Sequence, residues 1–180
     1  IPITNSSIHN ITDEIAARDG AGEYDSFMRL RACLIEMRDE RIPVVIFNAA
    51  YDWTILFHQY RKFGANFEEM KAVRILDPLV IDRRVDKYVR GKGQRQQGNV
   101  AKRYGLEVDE RLHSGQYDAE LAVQIARAMG RKHPWLSQQL QYQPDWHREQ
   151  MESLQQYFNK TKPGVVIEQG WPIREPIPDL

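Results

Sequence analysis

Two short segments hold residue types that can carry out metal-dependent hydrolysis. Residues 44–56 read VVIFNAAYDWTIL and place Asp52 shortly after an apolar run, whereas residues 113–118 read HSGQYD and place His113 five positions before Asp118. Carboxylate oxygens are the ligands that Mg²⁺ and Mn²⁺ prefer, so Asp52 and Asp118 are candidate metal ligands. An imidazole titrates near neutral pH, so His113 suits a general base that takes a proton from an attacking water.

These three side chains predict the later part of a site in which two metal ions stabilise an in-line phosphoryl displacement. His113 and Asp118 would point about 140° apart if both lay on one helix. A joint role therefore requires His113 on the loop before a helix that Ser114 begins as N-cap, with Asp118 in the first or second turn. The alternative to a catalytic role is that Asp52 is an ordinary aspartate in the first turn of a helix, stabilised by the helix dipole, and that His113 is an ordinary histidine on a surface loop. The site also needs further acidic ligands, and the sequence before Val44 offers none in a suitable context.

Strands and helices alternate around these residues. Apolar, β-branched runs at residues 44–47 and 73–76 predict two short buried strands in a parallel sheet. The alternation of these strands with helices predicts an α/β fold, although two strands are too few for a stable open sheet. Helical spacing and capping signals predict helices at residues 24–41, 48–64, 78–89, 99–104 and 115–129. Asn48 is the predicted N-cap of the second helix, and Asp77, followed by Pro78, is that of the third.

The composition describes a globular protein without net charge. The 180 residues include 25 basic and 25 acidic side chains and a single cysteine, Cys33, so no internal disulfide can form. No apolar run approaches transmembrane length, and no secretory signal pattern is present. We therefore expect a cytoplasmic protein that does not associate with a membrane.

Basic residues are concentrated in one stretch, between residues 83 and 103. We predict that three of them, Arg90, Lys92 and Arg95, contact the phosphates of a bound strand. The alternative is a solvated loop and helix face. Only Asp86 opposes the basic residues of the stretch, which are Arg83, Arg84, Lys87, Arg90, Lys92, Arg95, Lys102 and Arg103.

Five segments resemble, in order, the DnaQ-like, DEDDh-type 3′→5′ exonucleases of the ribonuclease H-like superfamily. VVIFNAAYDWTIL is similar to the second exonuclease motif, a strand followed by Asn-Ala-aromatic-Asp, and HSGQYDAELAVQIARAM to the third, His-x4-Asp with its helix. IHNITDEI resembles the family's His-Gly-Ile-Thr-Asp segment, and RILDPLVIDRRV its Asp-Thr-Leu step from strand to helix. GNVAKRYGL resembles the short helix before the third motif, so the resemblance extends over residues 8–130.

The resemblance implies an α/β, ribonuclease H-like exonuclease domain at residues 1–133 that apparently lacks its N-terminal strands. Residues 134–180 then form a C-terminal extension outside the family pattern. We predict a helix at residues 135–159, broken by Pro144, and a Pro-rich tail that runs as an extended strap. Trp146 and Trp171 are expected to be core anchors rather than a binding patch.

The resemblance also implies a set of site residues. Asp52 and Asp118 would belong to an acidic quartet that binds two Mg²⁺ or Mn²⁺ ions, and His113 would be the general base. Aromatic stacking against a terminal base is chemically reasonable, although one of the aromatic residues, Phe47, is equally suited to the core. Three residues would lie beside the 3′-terminal nucleotide: Phe47, Asn48 and Tyr51.

The family's first motif, Asp-x-Glu on its first strand, has no counterpart in this sequence. In the family that motif precedes the His-Gly-Ile-Thr-Asp segment, with which this chain begins. Three explanations account for the missing motif. The given sequence starts after it, another chain supplies the missing strands, or the protein is a truncation without activity. We expect the first, because the helix at residues 24–41 and the strand at residues 44–47 both require a partner sheet.

The motifs predict a 3′→5′ exonuclease that acts on single-stranded DNA 3′ ends and releases nucleoside monophosphates. Association with a DNA polymerase is a further expectation. The first alternative is the same chemistry on RNA, because recognition of the 2′-OH depends on geometry rather than on motifs. The second is a catalytically inactive module that binds nucleic acid or a polymerase.

Overall fold

The computed structural model describes Ser6 and residues 9–174, which form a mixed α/β structure that is mostly helical. Two parts of the sequence predictions lie outside the described residues. They are Ile8, where the resemblance to the exonuclease family begins, and the last six residues of the predicted strap. In chain order the elements are α1 (Asp13–Asp19), α2 (Glu23–Asp39), β1 (Val44–Val45), α3 (Ala49–Lys62), β2 (Ile75–Leu76), α4 (Pro78–Val85), α5 (Gln97–Arg103), α6 (Gly115–Lys132) and α7 (Gln143–Thr161), with 3-10 turns at Phe67–Met70, Pro134–Gln138 and Leu140–Tyr142.

The two predicted strands exist and pair in parallel, but each is shorter than the apolar run that predicted it. Val44 lies opposite Ile75, and Val45 lies opposite Leu76. Hydrogen bonds from the Val44 N–H to the Arg74 carbonyl (2.8 Å) and from the Ile46 N–H to the Leu76 carbonyl (3.0 Å) extend the pairing at both ends. The described residues thus contain a two-stranded parallel sheet among helices, so the prediction of a mixed α/β structure is confirmed.

The sheet lies between two hydrophobic clusters, because successive strand residues face opposite sides. Val44, Ile46 and Ile75 pack against a cluster built mainly from α2 and α3. Phe47 and Leu76 pack against the other cluster, built mainly from α4, α5 and α6. The four strand residues are each only partly buried, but contacts on both sides of the sheet explain why their sequences are apolar without alternation, as is typical of parallel strands.

Several helix boundaries differ from the predictions. Helix α4 ends at Val85, four residues before the predicted end at Val89. Helix α5 begins at Gln97 rather than Asn99, and α6 continues through Gly130 to Lys132. A glycine costs only about 1 kcal/mol inside a helix, so packing along the apolar side of α6 can override it.

The C-terminal extension packs against the α/β part of the molecule. Pro144 does not break a helix, because it lies in the first turn of α7, where the missing proline N–H is tolerated. Helix α7 contacts α4, and Trp146 is buried in the second cluster, where Trp171 packs against it. The prediction of a core anchor is therefore confirmed for Trp146, whereas Trp171 is partly buried against the same cluster.

The outer edge of β2 is completed by a side chain of the extension. The Asp77 N–H donates to Gln143 Oε1 (2.8 Å), and Gln143 Nε2 donates to the Ile75 carbonyl (2.9 Å). The Gln143 amide therefore bonds to this edge as the peptide group of a further strand would. Among the helices described, none is long and apolar enough to cross a lipid bilayer.

Candidate functional site

A buried carboxylate joins the two turns that follow the strands. Asp77 is 1% exposed, and its Oδ1 accepts hydrogen bonds from the N–H groups of Asn48 (3.0 Å) and Leu79 (2.9 Å). Its Oδ2 accepts from the Ala49 N–H (2.9 Å) and from Trp171 Nε1 (3.3 Å). Burial raises the pKa of Asp77, whereas these four hydrogen bonds favour the charged form. Asp77 thereby caps its own helix, α4, and also holds the start of α3.

Asn48 marks the start of α3 but does not cap it with its side chain. Its backbone is left-handed (φ 68°, ψ 51°), and its side chain makes no capping hydrogen bond. The prediction of Asn48 as N-cap is therefore correct in position and wrong in mechanism, because the Asp77 carboxylate binds the N–H groups of Asn48 and Ala49 instead. The Asn48 amide is not used in helix capping, which suits its predicted role in substrate binding.

Asp52 lies in the first turn of α3, exposed at the surface. Within the described part of the chain its carboxylate makes no hydrogen bond or ion pair with another side chain. Although the Asp52 side chain reaches the surface, the protein around its carboxylate partly excludes water, which raises the pKa of Asp52, and the negative charge of Asp77 acts in the same direction. The charge of Arg174 opposes both. A nearby cation would stabilise the ionised form of this carboxylate, as a bound metal ion does for its ligands.

The tail brings an arginine to Asp52 that sequence reasoning missed. The Arg174 N–H donates to Thr54 Oγ1 (3.0 Å), 120 residues earlier in the chain. Its guanidinium lies 5.7 Å from the ring centroid of Tyr51 and forms a 3.6 Å ion pair with Glu168. Nothing local in the sequence indicates this contact, although Trp171 signals that the tail is anchored. The tail thus places a cation beside two of the predicted site residues.

His113 and Asp118 adopt the arrangement that their spacing predicts. His113 lies on the loop before α6 with a left-handed backbone (φ 80°), and Asp118 lies in the first turn. The His113 N–H donates to Asp118 Oδ1 (3.0 Å), which fixes the carboxylate relative to the loop. Ser114 is the N-cap by position, without a side-chain capping bond. Gln97 Nε2 donates to the Asp118 carbonyl (2.6 Å) and ties this turn to α5.

The helices that carry Asp52 and Asp118 both lie next to β1. Helix α3 follows β1 directly, and α6 packs against β1. No hydrogen bond or ion pair joins Asp52 to His113 or Asp118 in the described residues. Across residues 9–174 no group of three or more His, Cys, Asp or Glu side chains is arranged to hold a metal ion. The chain therefore offers two candidate carboxylate ligands, which do not by themselves make the two-metal site that the resemblance implies.

The two predicted aromatic contacts have different surroundings. Phe47 is partly buried and packs against the second hydrophobic cluster, so its ring belongs at least in part to the core. Tyr51 is 54% exposed, and the Arg174 guanidinium lies 5.7 Å from its ring centroid. Tyr51 is therefore the better placed of the two to stack on a nucleotide base.

The three basic residues predicted to contact a strand are not equivalent. Arg95 donates to Asp82 Oδ2 (2.6 Å) and to the Asp86 carbonyl (2.6 Å). The Asp82 side chain is 1% exposed and also accepts from Arg103 (2.7 Å), so Arg95 belongs to a buried ionic network. Arg90 and Lys92 are exposed and have no hydrogen-bond partner among the residues described. Their side chains are available for phosphates.

Comparison of the chain with protein-family models, with curated proteins and with solved structures finds no match.

Proposed function

We propose that this chain carries the later half of a metal-dependent 3′→5′ exonuclease site of the DnaQ-like type, on a ribonuclease H-like fold. The observation that supports the proposal best is the placement of His113 on a loop whose N–H is bonded to the Asp118 carboxylate. An exposed histidine held in this way can approach a substrate while Asp118 stays fixed. Asp52 lies in the first turn of the helix that follows β1, the strand against which the Asp118 helix packs.

The proposed roles follow from the chemistry of each side chain. His113 accepts a proton from the attacking water, and the bond from its backbone to Asp118 keeps the loop in position. Tyr51 and the side-chain amide of Asn48 bind the 3′-terminal nucleotide. Mg²⁺, which Asp52 and Asp118 would help to hold, would supply charge stabilisation of the phosphoryl oxygens. The substrate is single-stranded DNA.

The test is degradation of 5′-labelled single strands by the protein expressed from its complete reading frame, with Mg²⁺. We expect DNA to shorten stepwise from the 3′ end and to release nucleoside monophosphates. RNA of the same sequence separates the two substrates, since degradation of RNA alone identifies the exoribonuclease. Strand binding without degradation of either identifies the inactive module.

The variant that tests the general base is His113→Asn. Asparagine tolerates the left-handed backbone at this position, whereas alanine would add strain that could be mistaken for a catalytic defect. We expect the rate to fall by about 10²–10⁴-fold, as is typical for loss of a general base. His133→Asn is the matched control, because the His133 ring packs against Tyr104 and Trp135 and has no predicted catalytic role. An unchanged rate in His113→Asn would exclude the assigned base.

A further inference from the structure

A basic cavity of about 410 Å³ lies between α4 and α7, and none of the candidate metal ligands or the candidate general base lines it. Four cationic side chains line it: Arg83, Arg84, Lys87 and Arg95. Glu149 is the single carboxylate among the lining residues. Its volume falls within the range of about 300–1,000 Å³ that is usual for small-molecule sites.

Arg83 is the more enclosed of the two cations in this cavity that have no ion-pair partner among the described residues. Its side chain is partly buried, yet within residues 9–174 its guanidinium donates no hydrogen bond. Burial and the positive charge of Arg95 lower the pKa of Arg83, and the negative charges of Asp77 and Asp82 do not restore it. A guanidinium has five donors, so Arg83 can offer several hydrogen bonds to a ligand that enters the cavity.

The carboxylates near Arg83 are already engaged. Asp77 accepts four N–H groups, as described above, and Asp82 accepts from Arg95 (2.6 Å) and Arg103 (2.7 Å). Glu149 lies 3.3 Å from Arg84, and both of these side chains are largely at the surface. Lys87 is exposed and has no ion-pair partner among the described residues. The cavity therefore has an excess of cationic donors without acceptors, which is the complement of a phosphate group.

Two aromatic residues in the lining narrow the chemical class of the ligand. Trp146 is buried with the Arg84 guanidinium 5.5 Å from its ring centroid. Tyr157 is 59% exposed and offers an open face at the same cavity. An exposed ring beside cationic donors suits a ligand with a phosphate and a planar base. We propose that the cavity is a second site, which binds the phosphate of a nucleotide unit with Arg83 as its principal donor.

Calorimetric titration without divalent metal tests this site independently of any nuclease activity. The probes are inorganic phosphate, thymidine 5′-monophosphate and a thymidine oligonucleotide, each at constant ionic strength. We expect thymidine 5′-monophosphate to bind, and Arg83→Gln to weaken its binding at least about tenfold. Arg29→Gln is the matched control, because Arg29 is exposed on α2 and has no hydrogen-bond partner in the described structure.

The remaining outcomes separate the sources of the phosphate. If Arg83→Gln weakens only the oligonucleotide, the site recognises phosphodiesters of a strand rather than a free nucleotide. Lys87→Gln is the second variant, since it removes an exposed, unpaired charge and leaves the core intact. We expect this variant to weaken binding severalfold in the same probes. The proposal is overturned if no probe binds, or if Arg29→Gln weakens binding as much as Arg83→Gln.

Discussion

The carboxylate of Asp77 accepts a 2.9 Å hydrogen bond from the backbone N–H of Ala49, 28 residues earlier in the chain. Ala49 is the first residue of α3, whose first turn carries Asp52. Asp77 itself follows β2 and caps α4 through the Leu79 N–H. One buried side chain therefore fixes the position of a candidate metal ligand relative to the neighbouring strand.

We predict that Asp77→Asn destabilises the protein although it preserves the size of the side chain. The amide oxygen can replace only one carboxylate oxygen, so the amide NH₂ faces either the N–H groups of Ala49 and Trp171 or those of Asn48 and Leu79. Donors that face donors lose their hydrogen bonds, which costs about 1–3 kcal/mol in the free energy of unfolding. Urea denaturation measures this loss. Asp109→Asn, at an exposed position, is the control, and equal stability of the two variants would contradict the assigned role of Asp77.

Substitutions of Asn48 separate its backbone role from its predicted contact with substrate. Both Asn48→Gly and Asn48→Ala remove the amide, but only glycine adopts the left-handed backbone without strain. We expect the glycine variant to be more stable than the alanine variant by about 1 kcal/mol. We also expect both variants to bind a single strand more weakly than the unmodified protein, and to the same extent. Unmodified affinity in the glycine variant would remove Asn48 from the substrate site.

The three basic residues Arg90, Lys92 and Arg95 should differ in role. The first two should bind a strand, and the third should stabilise the fold. Replacing both Arg90 and Lys92 by alanine should make the slope of log K against log salt shallower by about 1.4 for a single strand, because two phosphate contacts are lost. Arg95→Ala should instead lower stability by about 1–3 kcal/mol, since it removes a partner of the buried Asp82. An unchanged salt slope in the triple alanine variant of Arg90, Lys92 and Arg95 would exclude strand contact by this segment.

Stability should fall at mildly acidic pH because of His147. This histidine is 6% exposed, and burial together with the charges of Arg83 and Arg174 lowers its pKa to about 4. The unfolded chain, with a histidine pKa of about 6.5, therefore binds more protons than the folded chain between these values. The stabilisation is complete above pH 6.5 and is lost progressively as the pH falls towards 4.

The measurement is the free energy of unfolding of the unmodified protein and of His147→Gln between pH 7 and pH 4. Glutamine does not titrate, so the difference between the two proteins isolates the histidine. We expect this difference to change by up to roughly 3 kcal/mol across the range, to the disadvantage of the unmodified protein at low pH. Parallel curves would show that His147 is protonated as easily in the folded as in the unfolded state.

The sequence was sufficient to predict features that depend on neighbouring residues. The apolar runs predicted both strands, and the spacing of His113 and Asp118 predicted a loop histidine before a first-turn aspartate. These features follow from periodicity and from helix geometry, which act over a few residues. Strand and helix ends were less accurate, as in α4 and α6, because packing decides where a helix stops.

Features that depend on distant residues could not be predicted in this way. Arg174 reaches Thr54 across 120 residues, and Gln143 reaches Ile75 across 68. The Asp77-Pro78 pair in the sequence predicts Asp77 as the N-cap of α4. The bonds of Asp77 to Asn48 and Ala49 could not be predicted, because only the folded chain brings these residues together. Contacts of this kind arise from tertiary packing and carry no periodic signal in the chain.

The central claim is that Asp52 and Asp118 serve one metal-dependent site, and a double-mutant cycle tests it most directly. The measurement is the rate of 3′→5′ degradation of single-stranded DNA with Mg²⁺ by the protein from its complete reading frame. Asp118→Asn keeps an oxygen for the His113 N–H, so it alters charge rather than the loop. We expect Asp52→Asn and Asp118→Asn each to lower the rate at least about 10³-fold, and the double variant to be no more than about tenfold slower than either. A full rate in either single variant, or independent effects that multiply in the double variant, would contradict a shared site.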